Sequence, residues 1–133
     1  MFLSFTYYPC VKVITAEGRQ CSSIKLYSKY SNEYVLKNNI PHFISPILFY
    51  TCATSTEKYY YALYQNGTKE ELKNNIGKSE IHKFNKEGVL LDRFILDRRI
   101  YNFDVSSNDS VIYALGINRD LNTEVYCYKM RIW

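Results

Sequence analysis

Histidine, proline and glycine are scarce in this chain, at 2, 3 and 5 of 133 residues. His42 and His82 stand far apart, and Cys10, Cys21, Cys52 and Cys127 show no CxxC spacing, which excludes the paired-ligand pattern of a zinc site. No metal and no cofactor is expected. Nucleophile elbows of the GxSxG type, phosphate-binding glycine loops and HExxH helices are missing too, so the common catalytic frames are excluded. Cys52 and His42 could be paired as nucleophile and base, but Cys52 stands among apolar neighbours in a strand-like run, where a thiol packs rather than reacts. No catalytic residue is assigned. The four cysteines are expected to be buried free thiols, with a single Cys10–Cys21 disulfide as the alternative.

Long apolar runs are also wanting. Ile40 to Ala53 is interrupted by Pro41, His42, Ser45 and Pro46, short of the roughly 18 residues that span a bilayer. Met1 to Cys10 has no positively charged start and is too aromatic for a signal sequence, so none is read. The 17 Lys and Arg are scattered among 13 carboxylates, giving a net charge of +4 and no basic block, and no nucleic-acid partner is expected.

What is abundant is aromatic: 14 Tyr and 7 Phe, residues that favour strands. At 15.8 kDa the chain fits one domain with a modest core. Laid on itself it repeats. Val11 to Leu26 matches Ile81 to Leu96, pairing Ile14 with Phe84, Glu17-Gly18 with Glu87-Gly88 and Ile24 with Phe94. Both copies read as strand, tight turn, strand, and the closing glycine of each turn is expected at positive φ. Phe49 to Tyr64 recurs as Tyr101 to Gly116, aligning Tyr60-Tyr61-Ala62-Leu63 with Ile112-Tyr113-Ala114-Leu115, and Glu80 to Lys86 recurs as Glu124 to Met130.

Naming the strands of one unit a to d, the chain reads b (about 2–8), c (11–15), d (20–26), a (47–54), b (58–65), c (80–85), d (89–96), a (100–105), b (110–117) and c (124–131). This is an all-β chain, a partial β-propeller of about two and a half four-stranded antiparallel blades: a partial blade over 1–26, a full one over 47–96 and a partial one over 100–131. A β-sandwich of similar strand count is the alternative. Val89 to Leu96 is expected as an outer strand alternating in burial.

The run YYYALY at 59–64, then EIHKFNKEGVLLDRFILDRRI at 80–100 and FDVSSNDSVIYALG at 103–116 resembles the C-terminal blades of TolB-like six-bladed β-propellers of uncharacterised bacterial proteins. The resemblance implies a C-terminal piece of a larger ring, or a ring completed by other chains, and an exported or periplasmic setting for the whole. It says little about activity, because propellers host many functions.

In such a fold the d-to-a and b-to-c connections share one face. Here these are the long ones, Tyr27 to Pro46, Asn66 to Ser79, Asp97 to Arg99 and Asn118 to Thr123, whereas the opposite hairpins are short. That face is the expected interaction surface. Its candidate binding residues are Tyr27, Lys29, Tyr30, Tyr34, His42, Lys69, Lys73, Arg98, Arg99 and Arg119, suited to a sugar, peptide or anionic ligand. Lys69 to Lys73 reads as a short helical turn. The function expected is a non-enzymatic binding or interaction module, the alternative being a propeller hydrolase or lyase using the same loops. Uncovered sheet edges and faces lead to the expectation of self-association, at least as a dimer.

Overall fold

The computed structural model describes residues 1–26 and 32–131, the side chain of Cys21 excepted. The chain is all-β, with strands β1 (Phe2–Ser4), β2 (Cys10–Ile14), β3 (Gln20–Lys25), β4 (Tyr34–Lys37), β5 (Ile40–Phe43), β6 (Ile47–Ser55) and β7 (Tyr60–Thr68). Helix α1 (Lys69–Lys73) follows, then β8 (Glu80–Phe84), β9 (Leu90–Ile95), β10 (Asn102–Val105), β11 (Val111–Ile117) and β12 (Thr123–Lys129). They form antiparallel sheets ordered β1-β2-β3, β4-β5, β6-β7-β8-β9 and β10-β11-β12. No helix among the described residues is long and apolar enough to cross a membrane.

Period-two alternation lets the central four-stranded sheet bury both faces. Ala62, Tyr64 and Phe84 pack with Phe49, Tyr50 and Val11 against the β1-β2-β3 sheet. Tyr61, Leu63 and Ile81 pack on the other side with Phe103, Val105, Ile112 and Ala114 of the β10-β11-β12 sheet. A polar tie reinforces this second contact: buried Asp109 accepts hydrogen bonds from Tyr61 Oη at 2.8 Å and Thr56 Oγ1 at 2.7 Å. Burial and the neighbouring carboxylate push the Tyr61 hydroxyl well above its ordinary pKa.

The internal repeat has a backbone counterpart. Gly18 and Gly88 have φ of +82° and +87°, and in both turns the glycine N–H donates to the residue three before it. A register shift falls between Val13 and Ile14 in the first copy and between Lys83 and Phe84 in the second, at matching positions. The two turns differ in surroundings. A Cβ on Gly18 would meet nothing within 4 Å, whereas one on Gly88 would lie 2.3 Å from Ser22 Oγ and 2.7 Å from Val13 Cγ2. Gly18→Val is therefore expected to cost about 1–2 kcal/mol of backbone strain, and Gly88→Val a further 1–3 kcal/mol or so because it also overpacks the contact between sheets. Urea denaturation of the two variants checks this; equal losses would show that the sheets part freely at Gly88.

Three expectations need correction. The connection from Tyr27 to Pro46 is not all loop, because β4 and β5 form a hairpin through Asn38-Asn39, both at positive φ (51° and 60°), the geometry that suits the right-handed twist of paired strands. The cysteines are not all buried: Cys10, Cys52 and Cys127 are free thiols, Cys10 and Cys52 are half-buried and Cys127 is exposed, while the Cys21 side chain lies outside what is described. Cys127 lies on the uncovered face of β12, while Tyr126 and Tyr128 point inward. β9 is the edge strand expected, with Leu91, Arg93 and Ile95 outward, but Asp92 interrupts the inward row of Leu90, Phe94 and Leu96 and is exposed.

Candidate functional site

The connections that the sequence places together do converge. The β7–β8 connection starts with α1, whose first turn is closed by a capping box: Thr68 Oγ1 accepts from Glu71 N–H and Glu71 Oε2 from Thr68 N–H, each at 3.2 Å. Against α1 lie the β9–β10 joint and the β11–β12 turn. Together they enclose a cleft of about 370 Å³ lined by Leu72, Lys73, Asn74, Asn75, Arg99, Ile100, Tyr101, Ile117, Asn118, Arg119 and Leu121. A shallower groove on the other side of α1 runs along Ser45, Pro46, Thr68, Lys69, Glu70, Lys73 and Asn74.

Arg99 forms the floor. Only 7% exposed, it donates from Nε to the Ile76 carbonyl at 2.7 Å and from Nη1 to the carbonyls of Lys78, at 2.8 Å, and Gln65. Its Nη2 lies where Cβ atoms on Gly67 and Gly77 would approach to 2.6 and 2.8 Å, so both glycines make room for the guanidinium. Burial lowers the Arg99 pKa, with the Glu71 carboxylate acting in the opposite sense. Beneath it, Ser79 Oγ donates to Gln65 Oε1 at 2.6 Å and accepts from Ile100 N–H at 3.0 Å, while Gln65 Nε2 donates to the Ile100 carbonyl at 2.7 Å.

The rim is built by the β11–β12 turn. Asn118 Oδ1 accepts from the N–H groups of Asp120 and Asn122, and Asn118 Nδ2 donates to Glu124 at 2.8 Å. Leu121 occupies the position held by glycine in the two repeated turns, at φ 62° and 85% exposed. A bulky side chain there is strained.

Lys73, Arg99 and Arg119 therefore meet in the cleft, and Lys69 joins Lys73 in the groove beside it. Arg98 turns the other way. It chelates Asp97 at 2.7 and 2.9 Å and lies 3.9 Å over the Tyr126 ring, and the pair holds the Asp97 carboxyl far below its usual range. Tyr34 and His42 are exposed on the β4–β5 hairpin, which is fixed by Phe43 stacking on Tyr7 and by Asn32 bonding both N–H and carbonyl of Ile47. Tyr27, Lys29 and Tyr30 lie outside the described residues.

Sequence reasoning passed over the amides Asn74, Asn75 and Asn118, the wall residue Tyr101, and Leu121. The one available signal was the Asn-Arg-Asp-Leu-Asn turn, which has a leucine where its relatives carry glycine or Asp109. A second polar group was also unforeseen: His82, fully buried, bonds Tyr50 Oη at 2.8 Å through Nδ1 and Glu80 at 2.9 Å through Nε2, and Arg93 closes on the same Glu80 oxygen at 2.8 Å. It lies between sheets, away from the cleft, and Tyr64 stacks on the imidazole at 4.5 Å.

Comparison with known proteins finds no matching family model, no matching curated protein and no matching solved structure.

Proposed function

We propose that the three larger sheets are successive blades of a β-propeller of the TolB-like kind, and that the protein is a non-enzymatic binding module using its long-loop face. The observation that carries this reading is the convergence of the β7–β8, β9–β10 and β11–β12 connections on one cleft, while the turns at the other end of the strands stay short. Rigid strands presenting irregular loops are the usual frame of a recognition site. Screening the purified protein on glycan and peptide arrays and against generic hydrolase and lyase substrates tests it. Saturable binding without turnover, weakened by Lys69→Gln or Arg119→Gln, is expected; turnover abolished by those changes would replace the module with an enzyme.

Self-association belongs to the same reading. Tyr113, Ile117 and Val125 are exposed on the outer face of the β10-β11-β12 sheet, although Tyr113 aligns in the repeat with Tyr61, which is buried under a neighbouring sheet. A second copy supplies that cover. Sedimentation over a range of concentrations is expected to show a dimer that Val125→Lys shifts towards monomer. A 15.8 kDa monomer throughout would overturn this.

A further inference from the structure

We infer that the cleft between α1, Tyr101 and the β11–β12 turn binds an acidic sugar, a small hydroxylated ligand bearing a carboxylate or phosphate. This deepens the binding-module reading and rests on it. Among the described residues three cations line the cleft and no carboxylate does. Lys73 and Arg119 are exposed, and neither takes part in the ion pairs found among the described residues, so their charges are available to a ligand. Arg99 differs from them: its Nε and Nη1 are spent on main-chain carbonyls, and it acts as a fixed positive charge under the floor. Glu71 offsets part of that charge but forms no ion pair with it, so a cation held in a floor of low dielectric still favours an anion above it.

The remaining lining selects a sugar over a bare ion. Tyr101 is about half exposed, and its hydroxyl donates to Thr123 Oγ1 at 3.3 Å, which fixes the ring as a flat wall for the C–H face of a pyranose. Asn74 and Asn75 bring amides that both donate and accept, as a ring of hydroxyls requires. The volume, about 370 Å³, is at the lower end for small-molecule sites and too confined for a folded partner.

The experiment is NMR titration with glucuronate, glucose 6-phosphate and glucose, repeated on Lys73→Gln, Arg119→Gln and, as a control on the short-turn face, Lys58→Gln. One or both acids are expected to saturate, shifting the amides of residues 73–75, 99–101 and 117–121, with glucose at least tenfold weaker. Each cleft variant should lose about tenfold in affinity, and higher salt should weaken binding; the control should change neither. Comparing the two acids tells carboxylate from phosphate. Equal binding of glucose, shifts confined to other residues, or unchanged affinity in both cleft variants would overturn the inference. So would failure of both acids at millimolar concentration; array binding retained in that case would leave the module reading standing.

Discussion

Replacing Arg99 with methionine is expected to destabilise the fold by about 2–4 kcal/mol, since one buried and two partly buried carbonyls lose their donor and a fully buried one costs about 1–3 kcal/mol. The side chain would remain long and apolar, so little packing is lost. What is lost is the set of donors that satisfies one buried carbonyl, that of Gln65, and two partly buried ones, those of Ile76 and Lys78. Those carbonyls belong to β7 and to the connection following α1, so the loss loosens the cleft as well as the core. Arg99→Lys should recover only a small part, because one ammonium cannot serve acceptors spread across a planar guanidinium. Gly67→Ala should reproduce some of the effect from the other side, since its Cβ would stand 2.6 Å from Nη2. Urea denaturation reads all three. A methionine variant within 1 kcal/mol of the parent would mean that water serves those carbonyls and that Arg99 does not hold the joint.

Arg99 also marks where sequence reading stops. Asp97-Arg98-Arg99 reads as a surface joint, and for Arg98 that description fits. The neighbouring arginine parts from it at a bend between β9 and β10, and nothing in the local sequence says which of the two goes inside. That choice depends on Gly67 and Gly77, more than 20 residues earlier in the chain, which leave room for a guanidinium. Local signals were legible where the backbone demands a residue type. Glycine closes the two repeated turns, and the Tyr-Ala-Leu strands place Ala62 and Ala114 each against the preceding sheet. The β4–β5 hairpin carried its own signal, the Asn38-Asn39 pair between Val35-Leu36-Lys37 and Ile40, hidden by the Pro and Ser around it. His82 carried none: its pairing with Tyr50 depends on β6 and β8 flanking β7 in one sheet, which brings together residues 32 apart in the chain.

That buried histidine should make the protein acid-sensitive well above the carboxylate range. Glu80 can only accept, so His82 Nε2 carries the hydrogen and Nδ1 accepts from the Tyr50 hydroxyl, which describes a neutral ring. Burial beneath Tyr50 and Tyr64 lowers the His82 pKa below its ordinary 6.5; Glu80 pulls it upward but does not prevail, and Arg93 adds to the lowering. Glu80 itself is held below the usual range by its bonds to His82 and Arg93. Below pH 6.5 the unfolded chain therefore takes up a proton that the folded chain refuses, so unfolding gains protons and stability falls with falling pH. The loss begins near 6.5, continues until the folded histidine titrates, and is limited to about 1.4 kcal/mol per pH unit for a single group. Glu80 adds its own loss at lower pH, where carboxylates protonate. Denaturation midpoints measured from pH 7.5 to 5.0 should thus decline for the parent and stay nearly level for His82→Gln, whose amide can still reach Glu80. His42→Gln should keep the decline, because His42 is exposed on the β4–β5 hairpin. A parent protein whose stability is flat over that interval would show that His82 is reached by water, and that the neutral Tyr50–His82–Glu80 chain does not describe the folded state.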